Sequence, residues 1–222
     1  MRISTLLAVI AVLTGSLAST APALAADPSC RFLPITDSAA SLQHARTVAV
    51  LYSENTLNTQ QYLEQYHAVA VKGAQNPQMN AQIAKAFVDS SDPQRAINWL
   101  MGSLQKAFGT VTVYDNLDAA VQAHPDVVVM LDTHSRLVSK RNNQVEARFM
   151  AKFYDANLQY IGQAEGSRTQ QMPSVWVHGK AASQIAAQID QQTELQVNAL
   201  EQFDTSLKAL VKADSAGHVA SN

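Results

Sequence analysis

Two short polar stretches follow directly on apolar runs. TVAVLY (47–52) leads into Ser53, Glu54 and Asn55. DVVVMLD (126–132) closes on Asp132 and leads into Thr133 and His134. An imidazole near carboxylates can do general acid–base work once folding brings the groups within hydrogen-bond reach. Glu54, Asp132 and His134 are therefore the candidate catalytic residues, with Asp115 on the flank. The plainer reading has Asp132 capping backbone groups and His134 on a solvent-facing hairpin. A second candidate is Trp176 with His178, between Pro173 and Gly179. An aromatic displayed on a loop can anchor a protein partner. The plainer reading tucks Trp176 onto the nearby sheet.

Other chemistry lacks its residues. His178-Gly179-Lys180-Ala181 has neither the leading glycine nor the hydroxyl of a phosphate loop. Gly-x-Gly-x-x-Gly and Gly-x-Ser-x-Gly are both absent. The histidines at 44, 67, 124, 134, 178 and 218 are scattered, without zinc-ligand spacing. The sequence predicts no cofactor and no metal.

Hydrophobic periodicity predicts the elements that would place the candidates. TVAVLY (47–52) and 126–132 are apolar throughout and read as strands buried on both faces. TVTVY (110–114) alternates and reads as an edge strand. Val145, Ala147, Phe149, Ala151 and Phe153 alternate with polar neighbours, marking a strand over 144–154 that forms a hairpin with its predecessor. A weaker strand covers 158–166, where Gly162, Ala164 and Gly166 share one face and imply a close neighbour. Residues 167–179 read as irregular.

Helices are predicted from Thr56 to Lys72, with Leu63, Tyr66 and Val69/Ala70 on one face, and from Met79 to Val88. A third starts at Pro93 and carries Ile97, Leu100, Met101, Leu104 and Phe108. A short one opens near Asn116. The last, 180–212, would be about 50 Å long. A domain of this size is about 33 Å across, so the helix should bend at its Gln-rich patch near Gln191-Gln192 or project. Residues 213–222 read as a disordered tail.

Together these predict an α/β fold with a mixed five-stranded sheet, ordered 110–114, 47–52, 126–139, 144–154, 158–166. Helical crossovers make the first three strands parallel. Antiparallel hairpins extend them, and helices cover the sheet, including the long C-terminal one. The chain reverses direction beside 47–52, which sets Ser53–Asn55 near Asp132–His134. Such a reversal point is where open α/β sheets bind ligands, unless a continuing strand fills it.

The N-terminus carries a targeting signal. Arg2 precedes an apolar run, Leu6 to Leu17, broken only by Thr14, Gly15 and Ser16. Ala23-Leu24-Ala25-Ala26 then gives a small-residue cleavage pattern. We read 1–26 as a secretory signal peptide, 27–46 as a lead-in and 47–212 as one α/β domain. The apolar run is shorter than the roughly 20 residues of a membrane span, and no later stretch is long and apolar enough. Without residues 1–26 the chain holds 15 basic residues against 18 acidic ones. That balance supplies no basic face for nucleic acid. Cys30 is the only cysteine and cannot form an internal disulfide. Asp27-Pro28-Ser29 before it does not fit a lipid-attachment site, so Cys30 reads as a free thiol or a site for pairing with another chain.

TVAVLY (47–52), the helix-to-strand join LMGSLQKAFGTVTVYDN (100–116), and PDVVVMLD (125–132) followed by a hairpin carry a resemblance. Over about 47–212 the pattern resembles a bacterial envelope group. It includes the N-terminal domain of the Tol-system propeller protein, the curli-secretion lipoprotein and the lipoprotein activators of penicillin-binding proteins. The resemblance implies a binding or assembly module with no catalytic residues to carry over. The expected function is thus an exported, soluble, periplasmic or secreted accessory protein with an envelope protein or other periplasmic ligand as partner. The alternatives are a periplasmic hydrolase using the crevice, and a structural homo-oligomer formed through helix 180–212.

Overall fold

The computed structural model describes residues 40–139, 142–173 and 179–217. The proposed signal peptide, Cys30, Trp176 and His178 lie outside the described residues. The chain runs α1 (Ala40–His44), β1 (Thr47–Tyr52), α2 (Glu54–Ala74), α3 (Ala81–Ser90), α4 (Arg95–Ala107), β2 (Thr110–Val113), α5 (Leu117–Gln122), β3 (Val127–Arg136), β4 (Gln144–Asp155), β5 (Tyr160–Gln171) and α6 (Ala182–Gly217).

The five strands order as β2-β1-β3-β4-β5. This is the order the apolar patterns predict. β1 pairs in parallel with both β2 and β3, and β3-β4-β5 continue antiparallel. Asp126 fixes the start of β3 against that of β1. Its Oδ2 accepts from the Arg46 N–H at 2.8 Å, the Thr47 N–H at 2.9 Å and the Thr47 hydroxyl at 2.9 Å. These bonds favour the carboxylate and hold the Asp126 pKa below its ordinary value.

One face of the sheet carries the main core. Val50, Val129, Leu131, Phe149 and Phe153 meet Leu100 and Leu104 of α4 and Ile189, Leu200 and Phe203 of α6. α6 comes closest over β5. A Cβ on Gly166 would lie 2.0 Å from the Ala199 carbonyl oxygen, so the glycine is what lets the two backbones approach. The small-residue face of this strand reports that contact correctly.

Among the described residues, the other face has the six-residue helix α5 over Ala49, Leu51 and Val128, with Ala120 buried among them. This corrects the expectation that 126–132 is buried on both faces. Met130 is 38% exposed because α5 is too short to reach it.

Several boundaries differ, each for a packing reason. The lead-in contains a helix: Leu42 of α1, and Ala45 just after it, enter the core. β5 continues to Gln171, through residues read as irregular, because β4 pairs with it as far as Gln144. Its last five residues are exposed, so no apolar alternation marks them. α6 is one uninterrupted helix from Ala182 to Gly217 and passes the expected end at Lys212. Its Gln-rich patch is no break. Gln192 is fully buried, and its Oε1 accepts from the Val138 N–H at 2.8 Å. Phe203 and Leu207, which the oligomer reading would place on an exposed seam, are buried inside the subunit.

Candidate functional site

β1 ends at Tyr52, opposite Leu131, while β3 runs on to Arg136. Beyond Leu131, one edge of β3 therefore has no strand beside it among the described residues. Backbone groups left unpaired in a buried place cost stability, so something must bond them.

α2 supplies the bonds. Ser53 is its N-cap, with the side-chain oxygen accepting from the Thr56 N–H at 3.1 Å. The Ser53 N–H donates to the Leu131 carbonyl at 2.8 Å. The Thr56 hydroxyl donates to that same carbonyl at 2.9 Å and accepts from the Thr133 N–H at 2.9 Å. The Thr59 hydroxyl donates to the Thr133 carbonyl at 3.0 Å. The Tyr62 oxygen accepts from the Leu137 N–H at 3.2 Å, and the Tyr66 hydroxyl donates to the Val138 carbonyl at 3.1 Å. Burial raises the Tyr66 pKa, which keeps that phenol protonated as a donor. Residues 56, 59, 62 and 66 repeat at three and four, so they share one side of a helix. They stand in for a missing strand.

This ladder occupies the reversal point where the sequence places a crevice. Thr56 is fully buried and Thr59 nearly so. Changing Thr56 to valine keeps the shape and removes the hydroxyl, leaving the Thr133 N–H unpaired. The expected loss is about 1–3 kcal/mol. That corresponds to roughly 2–12 °C in a thermal melt of a domain of this size. An unchanged melting temperature would show that the ladder carries no load.

The candidate residues come from three parts of the fold. Asp132 and His134 alternate with Thr133 and Ser135 and lie on the sheet face that bears α5. Glu54 is exposed in the first turn of α2. Asp115 is exposed after β2, on the far side of β1 from β3. Among the described residues, no hydrogen bond or ion pair joins Glu54, Asp132, His134 and Asp115 to one another. The partner of His134 is Glu146 on β4, with Nε2 3.7 Å from Oε2. Beside this pair a shallow groove of about 350 Å³ is lined by Asn55, Asn58, Tyr62, His134 and Arg136 among others.

Among the described residues, no group of three His, Cys, Asp or Glu side chains is placed to hold a metal ion. No described helix is long and apolar enough to cross a membrane. Glu146 and the α2 hydroxyls are the residues the sequence reading passes over. The signal for the hydroxyls was present, as Thr, Thr, Tyr and Tyr at helical spacing. Apolar periodicity alone pointed to Leu63, Tyr66 and Val69/Ala70. Leu63 and Ala70 are buried, but Val69 is 73% exposed.

No family model matches the chain, and no curated protein does. Solved structures do. The PelC dodecamer from Paraburkholderia phytofirmans is 13% identical, with a TM-score of 0.34 over 73% of this chain and 91% of that one. A hypothetical protein from Chlamydia trachomatis is 13% identical, with a TM-score of 0.32 over 76% and 99%. A minor lipoprotein from Acinetobacter baumannii is 12% identical, with a TM-score of 0.26 over 77% and 94%. These are weak likenesses, one of them to a protein described as a lipoprotein. Similarity at this level does not extend to function.

Proposed function

We propose that this chain is an exported envelope protein acting as a noncatalytic binding or assembly accessory. The observation that carries the reading is the hydroxyl ladder of α2. At the place where a sheet of this topology would hold a substrate, the Thr56 and Thr59 hydroxyls are engaged in bonds to β3. Among the described residues, no hydrogen bond or ion pair links the acid–base candidates to one another, which supports a noncatalytic role. The N-terminal pattern supports export, with residues 1–26 removed as a signal peptide. Kinship with the envelope group named above belongs to the same proposal, as does an envelope protein or other periplasmic ligand as partner.

The hydrolase reading keeps one observation of its own, the His134–Glu146 pair beside the groove. A triple variant, Glu54→Gln, Asp132→Asn and His134→Ala, separates the two. Its stability should stay close to wild type. His134 has 43% of its side chain exposed, so deleting it should cost about 0.5 kcal/mol or less. Introduced into a strain lacking the protein, the variant should restore the lost phenotype. It should fractionate with the periplasm and start near Ala26 or Asp27. A variant that melts normally but fails to restore the phenotype would favour the hydrolase or a small-ligand site. A full-length chain recovered in membranes would overturn export by cleavage.

A further inference from the structure

Among the described residues, helix side chains bond unpaired strand backbone in two places. α2 does so for β3, as described. α6 does so for β5: Ser206 Oγ accepts from the Glu165 N–H at 3.1 Å, and Gln202 Oε1 from the Ser167 N–H at 3.2 Å. The outer edge of β2 has no such cover among the described residues. The Thr110 N–H donates to the Arg46 carbonyl at 2.7 Å and the Tyr114 N–H to the Val50 carbonyl at 2.9 Å. Even-numbered residues therefore turn their backbone groups toward β1. Those of Val111 and Val113 turn outward.

The edge also lacks the usual deterrents to pairing. Thr110–Val113 is Thr-Val-Thr-Val, with no charge and no proline, and only its shortness protects it. Exposed apolar residues gather nearby: Val113 is 41% exposed and Leu117 45%.

We propose that β2 pairs antiparallel with β2 of a second copy of this chain, about a two-fold axis at Thr112. Val111 and Val113 have the outward backbone groups, so they form the hydrogen-bonded pairs, each valine opposite the other valine of the second copy. Each such pair exchanges two bonds. Valine then meets valine on the face that bears α4, where Val111 already packs against the core. Threonine meets threonine on the opposite face. Both are favourable cross-strand matches, and no like charges oppose. This self-match is what selects a second copy over an unrelated strand. Self-pairing through a two-fold is also the commonest way for a chain to associate. The apolar stripe of α6 is already buried within the subunit, so this edge replaces it as the seam.

Sedimentation velocity of the full chain, as its host processes it, tests the proposal from low micromolar to near-millimolar concentration. Wild type should move from monomer mass to twice that mass as concentration rises. Amide exchange at Val111 and Val113 should slow in step. Val113→Lys puts an ammonium on the edge at an exposed site. Val111→Pro removes an outward N–H and spares the bonds to β1. Both variants should stay monomeric at every concentration, and Val113→Lys decides the matter if Val111→Pro fails to fold. Val69→Lys, at an exposed apolar site on α2, should dimerise like wild type. A wild type that is monomeric throughout would overturn the proposal, and so would dimers that survive Val113→Lys. A monomeric wild type whose edge takes up an added Thr-Val-Thr-Val peptide would overturn it in favour of a foreign strand.

Discussion

Val129→Asp should abolish cooperative folding. Val129 is fully buried and lies on the central strand, opposite Val50 on one side and Phe153 on the other. The described structure offers no cation to pair with a carboxylate there. Burying an unpaired carboxylate, or protonating it to avoid that, costs several kcal/mol, against a total margin of about 5–15 kcal/mol for a domain. A thermal melt followed by circular dichroism should show no transition. Met130→Asp is the control, one residue along and 38% exposed. It should melt close to wild type, because its carboxylate can reach water. If the two variants behave alike, the alternation of β3 is misassigned.

Gly166→Ala, a change of one methyl group, should have the next largest effect. The added carbon would fall 2.0 Å from the Ala199 oxygen and 2.4 Å from the Phe203 nitrogen. Both are backbone atoms of α6, so no side chain can swing away. Helix and strand must separate, which loosens Phe203 and Leu200 from the core. We expect a loss of about 3 kcal/mol or more, or at least roughly 6–12 °C in melting temperature. Gly162→Ala should cost much less. Its new carbon would meet the tip of the flexible Leu210 side chain at 2.7 Å. Gly102→Ala, within α4 and with open space around it, should raise stability by up to about 1 kcal/mol. A Gly166 variant as stable as the Gly102 variant would show that the close approach does not exist in solution.

Strand order was legible from residue patterns alone because burial on one face or two writes itself into apolar spacing. The apolar runs TVAVLY and VVVML pointed to the centre, although Met130 stays exposed, and the alternation of Thr110–Val113 pointed to an edge. Gly162, Ala164 and Gly166 announced a close neighbour through what their side chains lack. These are local requirements, and each strand records its own.

The candidate site was legible only in part, because it depends on where strands stop. The predicted spans 47–52 and 126–139 already let β3 outrun β1, but nothing in them says which side chains bond the edge left over. That mismatch leaves β3 carbonyls and amides unpaired, and Thr56, Thr59, Tyr62 and Tyr66 meet that need. On paper the same hydroxyls look like the solvent-facing side of a weakly amphipathic helix. Gln192 misleads in the same way: a glutamine reads as surface until a buried backbone N–H, at Val138, requires an acceptor.

The sequence by itself determined the fold class, the strand order, a close neighbour over β5 and an N-terminus with the pattern of an export signal. Each follows from apolar spacing or local composition. Only the tertiary structure decided that α2 hydroxyls bond the β3 edge at the reversal point, that His134 pairs with Glu146, and that Gln192 of the Gln-rich patch lies inside. The reason is that hydrogen-bond demand at a strand edge belongs to a pair of segments. It does not exist until both are in place, so neither segment alone can show it.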